Sequence, residues 1–204
     1  MRLWINAAVV AVSFAGVAAA HAATYAGVFG GYEALDVTAR ETTTPQDYDG
    51  DGGLVGLQVG HDWQSDGWIY GVAGDMAYDF VHASIFFTGG PVVFKTRAEF
   101  EGSLRARLGY AMGGFTPYVT GGVVYAQFET KYSQVLLPFF VTDHDAWGWT
   151  LGAGVEVPVA ERMTFALEYR YSDYGSNGSG FPATPDGPHE FTTDRVTVGL
   201  NWAL

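Results

Sequence analysis

The 204 residues contain no cysteine. An exported chain of this length without disulfides must be held by a large core or by a closed hydrogen-bond ladder. Charge is also scarce: 16% of residues are Asp, Glu, Lys or Arg, against about 25% in ordinary soluble domains. What charge there is leans acidic, −12 net, which argues against nucleic acid or anionic lipid headgroups as partners. After the N-terminal segment no run is apolar and long enough for a transmembrane helix. What the chain has in quantity is 28 glycines and 16% aromatics, which with so few charges points to strands with one greasy face.

The first residues read as an export signal. Arg2 gives a short basic start, an apolar run covers 7–20, and Ala20-His21-Ala22 supplies small residues at a cleavage site. The run is shorter than the ~20 residues a spanning helix needs. The expected division is a signal peptide over 1–22 and one domain over 23–204.

Beyond it the period is two. In VGLQVGHDW, Val55, Leu57, Val59, His61 and Trp63 share a face opposite Gly56, Gln58, Gly60 and Asp62. The same alternation recurs from Trp68, Ala98, Trp147 and Met163, and through the closing RVTVGLNWAL. Two glycine-rich segments, near 25–37 and 118–128, read as strands of less certain facing and bring the count to eight. Strands of about 10–13 residues exceed the soluble mode of about 5–6 and match the about 9–11 needed to cross a bilayer. The apolar face is therefore assigned to lipid and the small or charged face to the inside of a narrow barrel. The expected fold is all-β: an eight-stranded antiparallel up-and-down transmembrane β-barrel. A secreted sandwich or lipocalin-like barrel is the alternative.

Connections alternate in length. QSDG at 64–67, MGGFT at 112–116 and PVAER at 158–162 are short; those near 37–53, 81–95, 129–145 and 173–192 are long. Short periplasmic turns and longer outer loops are the pattern of bacterial outer-membrane barrels. Both termini are thus expected in the periplasm, with no module following the barrel.

Several stretches carry candidate chemistry. DYDGDGGLVGLQ places Asp47, Asp49 and Asp51 at the first ligand positions of an EF-hand loop, but position 12 is Gln58 rather than a bidentate Glu, so a solvated acidic loop with at most weak binding of divalent ions is expected. His82 and Ser84 near a rim evoke nucleophilic chemistry on lipid A, without a supporting acid of the right parity. Asp143-His144-Asp145 could catch a metal ion or haem, although a solvated loop is preferred. No catalytic residue, cofactor or metal site is assigned. The informative polar set is the inward one: Glu33, Asp62, Asp75, Asp79, Glu99, Glu101, Glu156 and Glu168 against Arg97, Arg105, Arg107, Arg170 and Arg195. A narrow barrel cannot leave these buried and unpaired. A ladder of Arg–carboxylate bonds is expected to plug it, with Asp62, Arg105, Arg107 and Glu156 in the periplasmic half and Glu99, Glu168, Arg170 and Arg195 in the outer half.

LRARLGYAMGGFTPYVTGGVVYA at 104–126, GAGVEV followed by EYRYSDYG at 168–175, and the closing RVTVGLNWAL together resemble the eight-stranded outer-membrane immunogenic proteins of alphaproteobacteria, the "porin family" or opacity-like group related in fold to the OmpA barrel. The resemblance covers essentially the whole mature chain. It implies a surface-exposed envelope protein in contact with outer-membrane lipid and lipopolysaccharide, inserted by the barrel-assembly machinery. Such chains close on an aromatic residue, whereas here Trp202 stands two before Leu204. The expected role is structural and surface-interacting, without catalysis. Alternatives are a small-solute porin, a barrel that binds haem or a cation, and a rim enzyme acting on lipid A.

Overall fold

The computed structural model describes residues 21–39, 46–80, 83–86, 92–134, 137–175 and 189–204, with side chains over 23–36, 50–80, 100–127, 145–175 and 192–204. The residues of the expected signal peptide up to 20 lie outside this set, as do His82 and the side chains of Ser84, Glu99 and His144.

Nine strands run in chain order: β1 (His21–Ala39), β2 (Gln46–Ser65), β3 (Trp68–Asp79), β4 (Ala83–Phe86), β5 (Val92–Tyr110), β6 (Thr116–Gln134), β7 (Leu137–Ala160), β8 (Met163–Asp173) and β9 (His189–Ala203). All neighbours are antiparallel, in the order β3-β2-β1-β9-β8-β7-β6-β5-β4, and β3 also pairs β5. Trp68↔Tyr110 through Ala77↔Glu101 closes the ring, and β4 continues the same stave, from Ala83↔Thr96 to Phe86↔Val93. The result is a closed eight-stranded barrel without helices among the described residues, its edges abolished by closure.

Local chemistry explains the turns. Asp66 and Gly67 take φ values of 51° and 83°, the paired positive dihedrals of a two-residue hairpin turn, in which Asp-Gly is favoured. The staves are longer than the pattern of apolar residues suggested: β7 has 24 residues and β2 has 20. Two expectations change as a result. The acidic stretch 47–53 is strand, paired from Thr38↔Asp47 to Tyr32↔Gly53, and 129–145 is largely strand, with Glu129↔Asp143 and Phe128↔His144 in register. The β1–β2 ladder satisfies the backbone through Asp47–Gly53 despite its poor β-propensity, and Tyr32 donates its hydroxyl to Asp51 at 2.5 Å. An EF-hand loop with flanking helices is incompatible with that ladder.

The outward face is apolar. Leu57, Leu104, Leu151 and Trp147 are more than half exposed, at 65%, 61%, 56% and 63%. Rows of exposed Leu and Val sealed side by side need a hydrocarbon medium. Aromatics collect at both borders, with Trp68 against Tyr110 and Trp63 on Tyr70 at the turn end, and Tyr78 against Phe80, Tyr125 against Trp147 and Trp149 against Tyr171 at the other.

The inward face is mixed. Besides its charges it buries Phe29, Leu54 and Ala77 in one cluster and Val124, Ala126 and Tyr174 in another. The glycine-rich strands are thereby oriented: Tyr25, Phe29, Glu33 and Leu35 point inward from β1, and Tyr118, Thr120 and Val124 from β6. Gly154 makes room for one of them, since a Cβ there would meet the Tyr118 hydroxyl at 2.6 Å.

Candidate functional site

The polar lumen is organised in three connected clusters. Nearest the short turns, Arg107 on β5 forks onto Glu156 of β7, Nη1–Oε1 2.9 Å and Nη2–Oε2 2.5 Å, with Asp62 of β2 at 3.4 Å. This two-pronged geometry is what a planar guanidinium offers a carboxylate. The Arg107 guanidinium also lies over the Tyr118 ring, 4.1 Å from its centroid. Asn201 donates to Glu156 at 3.2 Å and accepts from Gln58 at 2.5 Å, tying β9 and β2 into the same group.

At mid-height two arginines and two acids form a closed square. Arg105 bonds Asp75 and Glu168, each at 2.8 Å. Arg170 bonds the same two, at 3.1 Å and 2.9 Å. Ser103 donates to Asp75, Tyr118 to Glu168, and Arg105 also reaches the Thr120 hydroxyl. The Asp75 side chain is wholly buried, with both oxygens engaged by Arg105, Arg170 and Ser103. Desolvated carboxylates persist as ions only when so many donors surround them.

Toward the outer end, Arg195 of β9 takes Glu33 of β1 through Nε at 2.6 Å and again through Nη2. The same Nη2 lies 2.8 Å from Glu101 and 3.6 Å from Asp79. Tyr174 donates to Glu101 at 2.7 Å. Arg170 stands 3.8 Å from Glu101, linking this cluster to the square. Oxygens of Glu33, Asp79 and Glu101 approach within 4.8 Å of one another, the ligand type of hard cations, but the Arg195 guanidinium lies between them and serves as their cation.

The structure therefore brings together Glu33, Asp62, Asp75, Glu101, Arg105, Arg107, Glu156, Glu168, Arg170 and Arg195, while the side chain of Glu99 lies outside the described residues, at a register shift between Ala98 and Phe100. One expectation is corrected. Arg105 and Glu168 were placed in opposite halves, but the tilt and stagger of the staves bring them into direct contact. Tyr118, Tyr174, Gln58, Asn201 and Ser103 were missed as partners. Inward parity on their strands is the signal that could have found them, since a hydroxyl or amide facing a charged lumen must bond to it.

Among the described residues, one cavity of about 10 Å³ lies beside Arg105, Arg107 and Glu156 and another beside Phe29, Glu168 and Arg170; each is the size of about one water.

A closed antiparallel barrel with an aromatic-bordered apolar exterior and a charged interior defines the class of outer-membrane β-barrels. The chain belongs to the outer membrane protein beta-barrel domain family, whose model matches residues 6–203. It is 32% identical over 180 residues to the 25 kDa outer-membrane immunogenic protein of Brucella melitensis, an alignment covering 87% of this chain and 76% of that one. It is 34% identical to the 31 kDa outer-membrane immunogenic protein of the same species, covering 82% and 68%. Its fold is similar to that of the outer membrane protein OprG from Pseudomonas aeruginosa, with TM-score 0.52 and 15% identity over 90% of this chain and 97% of that one. The protein resides in the outer membrane, in contact with its lipids.

Proposed function

We propose that this barrel is a sealed, non-catalytic envelope protein, its interior plugged by the Arg–carboxylate clusters and its outer end presented for surface interaction. The observation that carries the reading is the packing of Arg105, Arg107, Arg170 and Arg195, all at most 6% exposed, against seven carboxylates, with water-sized voids beside them. A narrow eight-stranded bore is filled by its own side chains. Glycosidase-like or lipid-directed chemistry needs carboxylates or a nucleophile open to substrate, whereas these acids are bonded to arginines. Insertion is assigned to the barrel-assembly machinery reading the closing strand β9, and maturation to removal of residues 1–22, which N-terminal sequencing of the outer-membrane form checks directly.

Planar-bilayer recording tests the seal. The refolded protein is expected to give no stepwise conductance, and a stable unit conductance in the unsubstituted protein would replace the plug with a pore. In a parallel arm, exchanging His82 and Ser84 for alanine is expected to leave lipid A composition unchanged.

A further inference from the structure

The charges of the lumen do not balance. Among the described residues seven carboxylates face four guanidiniums, and the excess is unevenly placed. The mid-height square is neutral, two acids against two arginines. At the turn end Asp62 and Glu156 share Arg107, but their side chains are 18% and 14% exposed, so water relieves the surplus. At the outer end Glu33, Asp79 and Glu101 share Arg195, and all three side chains are at most 3% exposed. Arg170, 3.8 Å from Glu101, is already committed to Asp75 and Glu168. Two negative charges are thus left uncompensated away from solvent, which a fold does not carry bare.

Particular atoms carry that surplus. Arg195 engages Oε2 of Glu33 and Oε2 of Glu101. Glu101 Oε1 and both oxygens of Asp79 are buried and accept no hydrogen bond among the described residues. Asp79 is 1% exposed, and Nη2 of Arg195 stands 3.6 Å away, beyond hydrogen-bonding reach. Its carboxylate nonetheless points at the other two acids, since an oxygen from each of the three lies within 4.8 Å of the rest. That spacing lets one ion touch all three with metal–oxygen bonds of about 2.3–2.6 Å, the range of calcium. An all-oxygen donor set, with neither imidazole nor sulfur, selects a hard cation over zinc or copper. A water completing the ion's shell finds a donor in Arg195 Nη1, which is also without a hydrogen-bond partner among the described residues.

We propose that the outer lumen binds one divalent cation of the calcium class, held by Asp79, Glu101 and Glu33, chiefly through the oxygens that Arg195 does not engage. The ion balances the remaining two charges and ties β3, β5 and β1 together at the outer end. Arg195 stays the counter-ion of Glu33 Oε2 and Glu101 Oε2, so guanidinium and metal divide the three acids between them. This ion site is additional to the plug, and the two fail separately: the ion is read from uptake, the seal from conductance.

Isothermal titration of calcium chloride into the chelator-treated full chain, refolded in detergent free of lipopolysaccharide, tests it. One ion per chain is expected, with a Kd no weaker than the about 0.1–1 mM of extracellular calcium modules. Asp79→Asn and, separately, Glu101→Gln are each expected to weaken binding by at least about tenfold. Glu161→Gln, at an exposed acid of the turn between β7 and β8, leaves it unchanged. Glu33→Gln takes the place of either variant that fails to fold. Absence of saturable uptake by the unsubstituted protein overturns the proposal and leaves protons as the balancing charge. So does uptake of several ions that Asp79→Asn does not reduce, which is the behaviour of surface acids.

Discussion

Arg195 is shared among Glu33, Glu101 and Asp79, and its side chain is 2% exposed. Asp79 makes no hydrogen bond among the described residues, so this guanidinium at 3.6 Å is its nearest compensation. Removing one partner of a buried ion cluster costs about 3–5 kcal/mol, because the remaining charge is stranded in a low dielectric. Arg195→Met is expected to lower barrel stability by about that amount, read as a fall in the urea midpoint of unfolding from lipid vesicles. Adding Glu33→Gln is expected to recover part of the loss, and strict additivity of the two changes would show that they do not interact.

At the scale of the strand, the period-two exterior makes a depth-dependent prediction. A basic residue at mid-bilayer on the lipid face costs about 2–4 kcal/mol, and about 0–1 near an interface. Leu151→Arg is expected to fall in the first range and Val159→Arg, beside the Glu161–Arg162 turn, in the second, by the same vesicle unfolding measurement. This exterior was also the most legible feature of the chain, since one residue in two must be apolar wherever lipid lies alongside: Leu57, Met76, Leu104 and Leu167 all face outward as the alternation required. The inward charges followed by parity. Their pairings did not, because Arg105 meets Glu168 across 63 positions of sequence, a contact set by stagger rather than by any local pattern. Phe29 and Leu54 inside were hidden for a related reason. Glycine neighbours blur the alternation, and an apolar residue on the minority face reads as noise until its cluster with Ala77 is seen. The extent of the staves was underread because Asp and Gly at 49–53 carry turn chemistry, which ladder pairing with β1 overrides.

For the molecule as a whole, ring closure by β3 and β5 makes unfolding an all-or-none event: no stave can leave without opening two ladders. The folded form is expected to resist detergent and to migrate differently from the boiled chain on a gel. Identical migration before and after boiling would contradict a closed ring.

β7 spends 24 residues where hydrocarbon needs about 9–11. More than half of that stave therefore stands clear of the apolar slab. What lies there is a woven surface whose adjoining residues come from remote places in the chain, so any shape it presents is discontinuous in sequence and vanishes when the weave is undone.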